Sequence, residues 1–164
     1  MKKLIYSFAV AAFFLAACKN SSSTPATESK PATEVAATSN VTEVTISGDD
    51  QMKYDTDAIT VPAGKKVKLT LVHTGKLAKE AMGHNWILLK PGVDLQEFAG
   101  EAMKAKGTDY VPASREGDII VHTDLIGGGE STTIEFDAPE AGMYEFLCSF
   151  PGHSGMMKGH FIVE

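Results

Sequence analysis

The sequence predicts a small all-β domain, a sandwich or barrel of about eight strands with one helix outside it, and two observations predict it. First, the stretch from about Val44 to Glu164 is on the order of 120 residues, the size of one domain with one core. Second, that stretch falls into short segments that alternate or carry β-branched runs, separated by Gly, Pro and Asp. In chain order they are Val44 to Ser47, Ala58 to Val61, Lys66 to His73, His84 to Leu89, Asp118 to His122, Ser131 to Asp137, Gly142 to Cys148 and Lys158 to Glu164. Between Pro91 and Gly107 the rhythm changes: Leu95, Phe98, Ala99, Ala102 and Met103 recur at helical spacing, which predicts a helix packed outside the sandwich.

The N-terminal segment has another character. Lys2 and Lys3 precede an apolar run from Leu4 to Leu15 that ends in Leu15-Ala16-Ala17-Cys18. A run of about a dozen residues is shorter than the roughly 20 a helix needs to span the hydrocarbon core, so residues 1–17 read as a cleaved export signal. Leu-Ala-Ala-Cys resembles the bacterial lipobox, which makes Cys18 the lipidated first residue of the mature chain, held on a membrane surface without spanning it. Residues 18–43 are rich in Ser, Thr, Ala, Pro and Glu and cannot bury enough apolar area to fold, so they read as a disordered tether. Lys19 after the Cys, in place of an inner-membrane retention aspartate, favours the outer membrane, facing the periplasm or the surface.

Charge narrows the partners. The chain carries 15 basic against 21 acidic residues, and losing Lys2 and Lys3 with the signal moves the formal charge from −6 to about −8, which disfavours nucleic acid. Of the two cysteines, lipidation of Cys18 leaves Cys148 alone in an exported protein. Such a thiol can pair between chains, act as a nucleophile, sit inert or bind metal. Its neighbourhood, Cys148-Ser149-Phe150-Pro151-Gly152-His153-Ser154-Gly155-Met156-Met157, holds a thiolate, an imidazole and thioethers within ten residues, a soft set suited to copper. Met82-Gly83-His84-Asn85-Trp86 offers a second imidazole in His84, behind a glycine whose carbonyl can approach a metal closely.

At these residues the chain resembles the azurin family of blue-copper proteins, the cupredoxins. The resemblance is carried by Met82 to Trp86, by Cys148 to Ser154 with Met157-Lys158-Gly159 following, by His122-Thr123 with Leu125-Ile126-Gly127, and by Asp50-Gln51-Met52, all in azurin order. It implies a Greek-key sandwich with the Gly83 carbonyl, His84, Cys148, His153 and Met157 as copper ligands. Met157 rather than Met156 fits because azurin-like sites place the thioether four residues after the second His and just before Lys-Gly; Met156 then points to the surface. The resemblance also implies that Asn85 braces the ligand loop, that amides near Asn85 and Phe150 donate to the Cys148 sulfur, and that Met52, Leu77, Met82, Phe150, Pro151 and Met156 form an apolar partner patch around His153. Trp86 is expected in the core, while His73, His122 and His160 are expected to be packed or solvated and not ligands. One departure stands out: azurins carry a disulfide from the first strand to the segment near Gly64, and here that segment reads Pro62-Ala63-Gly64 with no cysteine. Losing such a bridge costs about 2–5 kcal/mol.

The function so implied is one-electron transfer through a single type 1 copper by a monomeric domain, with c-type cytochromes or copper oxidases and reductases of the envelope as partners. An enzyme of the copper nitrite reductase kind needs a second such domain, and about 120 residues do not supply one. Copper binding and delivery by a periplasmic lipoprotein is the alternative; it favours exposed, exchangeable Met and His clusters over a buried mixed site.

Overall fold

A computed structural model describes residues 40–164. The expected signal over residues 1–17, the lipidated Cys18 and all but the last few residues of the expected tether lie outside the described residues. The first strand, β1 (Val41–Gly48), starts three residues before the expected domain boundary, because Val41, Thr42 and Glu43 pair in parallel register with Lys66, Val67 and Lys68. Strands β2 (Ala58–Val61), β3 (Lys66–His73), β4 (Ile87–Leu89), β5 (Ile119–His122), β6 (Ser131–Asp137), β7 (Gly142–Leu147) and β8 (Lys158–Val163) complete the eight. They form a three-stranded sheet in the order β1-β3-β6 and a five-stranded sheet in the order β2-β8-β7-β4-β5.

The two sheets enclose one core. Ile46, Val67, Leu69 and Leu71 from the first sheet meet Leu88, Phe146, Phe161 and Val163 from the second, with Trp86 fully buried among Phe136, Phe146 and Phe161. The five-stranded sheet has a second covered face. Helix α2 (Leu95–Ala102) lies over it, burying Leu95, Phe98, Ala99 and Ala102 against Ile87, Leu89, Ile119 and Leu147. Asp94 caps that helix by accepting a 2.8 Å hydrogen bond from the Glu97 amide. Met103 does not belong to the buried stripe: it caps the helix C-terminus and is 53% exposed.

The segment from His84 to Leu89 is a ladder strand only from Ile87 onward. His84 instead exchanges two backbone hydrogen bonds of 2.9 Å with Ile126, an isolated bridge ahead of β4. A four-residue helix, α1 (Lys79–Met82), precedes it. That turn packs against Gly127 and Gly128, where a Cβ would come within 2.8 and 2.5 Å of the backbone at Lys79 and Lys76, so only glycine admits the approach. The antiparallel register Ile87↔Leu147 then sets the start of β4 beside the end of β7, bringing His84 to Trp86 next to Cys148.

Near Gly64 there is no cysteine to bridge, as the sequence indicates, and Cys148 is the one cysteine among the described residues and is free. The turn is held by backbone hydrogen bonds, from the Ala63 amide to the Glu164 carbonyl at 2.8 Å and from the Lys66 amide to the Asn40 carbonyl at 3.0 Å.

Candidate metal centre

His84, Cys148 and His153 each offer one donor atom, and the three atoms lie within 4.8 Å of one another. All three residues are buried, at 0, 0 and 2% exposure. Three separate pieces of chain aim them. His84 follows α1 and is pinned by Ile126. Cys148 leaves the end of β7, its amide bonded to the Met157 carbonyl at 2.8 Å. His153 follows Gly152, whose φ of +84° turns the loop back, and the amides of Met156 and Met157 close on the His153 carbonyl at 3.0 and 2.8 Å.

The tautomer of His84 follows from its contacts. Nε2 lies 2.9 Å from the Asp49 carbonyl, which can only accept, so Nε2 carries the proton and Nδ1 keeps a free lone pair. That Nδ1 is buried and has no hydrogen-bond partner. A buried acceptor without a hydrogen-bond partner, facing a thiol and a second imidazole, is the donor arrangement of a metal ligand. Behind the ring, His73 stacks at 4.1 Å and 16°. His73 accepts at Nδ1 from the Gly75 amide and therefore donates from Nε2 to the Met82 carbonyl at 2.7 Å, so it is a packed support and not a ligand. In front, a Cβ on Gly48 would come within 2.7 Å of His84 Cδ2 and 3.0 Å of Met157 Cε.

The Cys148 sulfur is 3.6 Å from His153 Nδ1 and 3.9 Å from the Gly83 carbonyl. Burial pushes the thiol up to about 11, opposed by the amides of Asn85 and Phe150 and by the Tyr54 hydroxyl. Burial pushes His153 down to about 4, helped by the neighbouring His84 and His73, and burial likewise lowers His84. At neutral pH both imidazoles are therefore unprotonated and able to bind metal, while the thiol must lose its proton to the incoming ion.

The remaining expected residues fall into place around this group. Asn85 accepts at Oδ1 from the Ser149 amide at 2.9 Å and donates from Nδ2 to Ser149 Oγ at 2.9 Å, a brace across 64 residues of sequence; the Ser149 hydroxyl donates to the Tyr110 carbonyl at 2.7 Å. Met157 is fully buried beside His84, and Met156 is 64% exposed. Leu77, at 45%, is also exposed, whereas Met52, Met82 and Pro151 are half-buried. Phe150 contributes little surface to the expected patch: it is buried, its ring 4.7 Å from His153 and 5.1 Å from Tyr110. His122 and His160 are exposed and outside the group. Gly48, Asp49, Tyr54 and the His73 stack were not foreseen, since only the adjacency of Gly48 and Asp49 to Asp50-Gln51-Met52 hinted at them.

The donor set fits copper: two imidazoles and a thiolate with a thioether nearby are the soft ligands of a copper electron-transfer site. Comparisons with known proteins agree. Residues 40–164 match the family described as copper binding proteins, plastocyanin/azurin family. The chain is 47% identical over 124 residues to the azurin of Pseudomonas denitrificans, covering 71% of this chain and 93% of that protein. It is 44% identical over 122 residues to the azurin of Alcaligenes faecalis, covering 71% and 94%. Among solved structures it is similar to auracyanin A, a "blue" copper protein of Chloroflexus aurantiacus, with a TM-score of 0.68 at 29% identity over 76% of this chain and 99% of that one. It is also similar to the reduced auracyanin of Roseiflexus castenholzii, with a TM-score of 0.65 at 35% identity over 74% and 96%. With a matched family model over its whole described length and relatives of this identity, the chain belongs to the plastocyanin/azurin family of copper-binding proteins.

Proposed function

We propose that the protein is a lipid-anchored carrier of single electrons in the bacterial envelope, in which His84, Cys148, His153, the Gly83 carbonyl and Met157 would hold one copper ion. The observation that carries this reading is the orphaned, buried Nδ1 of His84 facing Cys148 and His153. Bound copper would supply a Cu(I)/Cu(II) couple. The chain's own residues supply the rest. The Asp49 carbonyl and the His73 stack hold His84 in one tautomer and one orientation. Asn85 ties the His84 segment to the Cys148 loop, so the ligands keep their places as the charge changes. Burial keeps water from the sulfur, and amides donated toward it favour the reduced state.

Leu77 and Met156, with the partly covered Met52, Met82 and Pro151, form an apolar rim suited to brief contacts with c-type cytochromes or copper oxidases and reductases. The reading is of a carrier, not an enzyme. The lipobox at Cys18 and the Ser/Thr/Ala/Pro-rich segment after it support an exported, surface-anchored protein, with the outer membrane preferred. Among the described residues no helix is long and apolar enough to cross a membrane.

The test is a visible spectrum of the full chain loaded with Cu(II). An intense band near roughly 600 nm that bleaches with ascorbate, returns on oxidation and vanishes in Cys148→Ser is the expected result for this ligand set. A colourless protein that takes copper weakly, or only as Cu(I), would instead mark it as a copper-delivery protein.

A further inference from the structure

Strands β1 and β3 run in parallel and end side by side, Gly48 opposite His73. The chain at these two ends carries both supports of His84: the Asp49 carbonyl at the ring's Nε2 and the His73 ring stacked on its face. Asp50 joins the loops that follow. Its carboxylate accepts from the Lys76 amide at 2.8 Å and from the Leu77 amide at 3.3 Å, across 26 and 27 residues of sequence. The loops approach so closely that a Cβ on Gly75 would overlap the carboxylate. Asp50 itself is half-buried and lies outside the group of donor atoms.

We propose that Asp50 is a positioning residue for His84: its carboxylate clamps the turn bearing the Asp49 carbonyl onto the loop that follows His73, so that carbonyl and stacked ring hold the imidazole as one unit. This rests on the copper reading of the site. The Asp49 carbonyl belongs to the peptide that joins Asp49 to Asp50, and a peptide group is planar and stiff, so anchoring the Asp50 side chain restrains where that carbonyl points. The turn does not reach across by any other side chain. The carboxylate of Asp49 is used within it, accepting from the Gln51 and Lys53 amides at 2.9 and 3.2 Å, and Met52 sits at a φ of +57°, in the left-handed region that residues other than glycine seldom occupy. Hydrogen bonds to an ionised carboxylate are about twice as strong as neutral ones, which suits Asp50 to a clamp that water can reach. The same carboxylate fixes the backbone of Leu77, so the exposed rim and the metal ligand share one anchor. The strand ends have their own tie, because the amide and hydroxyl of Thr74 donate to the Gly48 carbonyl at 2.8 and 3.0 Å, and the fold should survive loss of the clamp.

The experiment compares the full-length wild-type chain with Asp50→Ala, which removes both acceptors, and Asp50→Asn, which keeps one. Hydrogen exchange of the metal-free chains reports the clamp, and the Lys76 and Leu77 amides should exchange faster in Asp50→Ala. Copper affinity, measured by competition with a chelator, should fall about tenfold in Asp50→Ala and by less in Asp50→Asn. Pulsed EPR of the Cu(II)-loaded chains reads the couplings to the remote ring nitrogens. The coupling to His84 Nε2, sharp in the wild type, should spread in Asp50→Ala as its hydrogen bond to the Asp49 carbonyl loosens, and sharpen again in Asp50→Asn. Faster amide exchange with unchanged affinity and unchanged couplings would overturn the inference, whatever happens to the melting temperature, and leave Asp50 as a latch for Leu77 alone. Amide exchange unaltered in Asp50→Ala would overturn it as well. A wild-type chain with no blue band would remove the copper site itself and this role with it, while the amide exchange of the metal-free chains would still report the clamp.

Discussion

The two sheets are built to different rules. In the β1-β3-β6 sheet one face is core and the other is water: Val67, Leu69 and Leu71 point inward, while Lys66 and Lys68 pair across the outer face with Asp137 and Glu43 at 2.9 and 3.1 Å. In the five-stranded sheet the middle is dry on both sides. Leu88 and Phe146 face the other sheet, Ile87, Leu89 and Leu147 face α2, and all five are fully buried. The proposed metal ligands His84 and Cys148 sit beside the doubly covered strands, at the end where β4 starts and β7 stops. A site whose geometry must survive a change of charge sits where the backbone has least room to move.

That contrast can be broken or sharpened by substitution. Phe98→Ala, which uncovers the helix-side face, should cost about 3–5 kcal/mol by denaturant unfolding of the metal-free protein. A loss under about 1 kcal/mol would mean that α2 is an ornament on the sheet and not its second wall. Gly48→Ala drives a methyl into the His84 ring and Met157, and copper affinity measured by competition with a chelator should fall about 10- to 100-fold. Unaltered affinity would show that the ring can retreat, against the His73 stack behind it.

Acidification probes the buried imidazoles. His153 is held at about 4 in the folded chain against 6.5 for the free side chain, so the unfolded state binds the extra proton first. Stability of the metal-free protein should therefore be intact above pH 6.5, erode as pH falls toward about 4, and erode less in His153→Gln. A flat profile through that window would place the ring in contact with water. The smallest effect belongs to the wet face: Lys68→Met, which breaks the exposed pair with Glu43, should change stability by no more than about 1 kcal/mol. A larger loss would erase the distinction between the sheets.

The strands were legible because alternation survives wherever one face is wet, as in Lys66–His73. Boundaries failed where context decides. Val41 to Glu43 have a tether's composition and become strand only because β3 is there to pair with. His84 to Trp86 read as strand but are held by a bridge and side chains, and the four residues of α1 are too few to show a period. In the site, Gly83, His84, Cys148, His153 and Met157 share short motifs, so the sequence displays them together. Gly48, Tyr54 and His73 reach the same place from other strands and loops, and no linear spacing records that meeting.

The last strand closes the sheet in a way that orders events in time. β8 lies in parallel beside β2, pairing Ala58 with His160, roughly a hundred residues later in the chain, the kind of distant contact that makes β-rich domains slow to fold. Cys148, His153 and Met157 lie between β7 and β8, whose antiparallel pairing, Leu147 opposite Lys158, holds both ends of that loop. A chain that stops short of β8 would leave exposed the Cys148 thiol that the closed sheet buries.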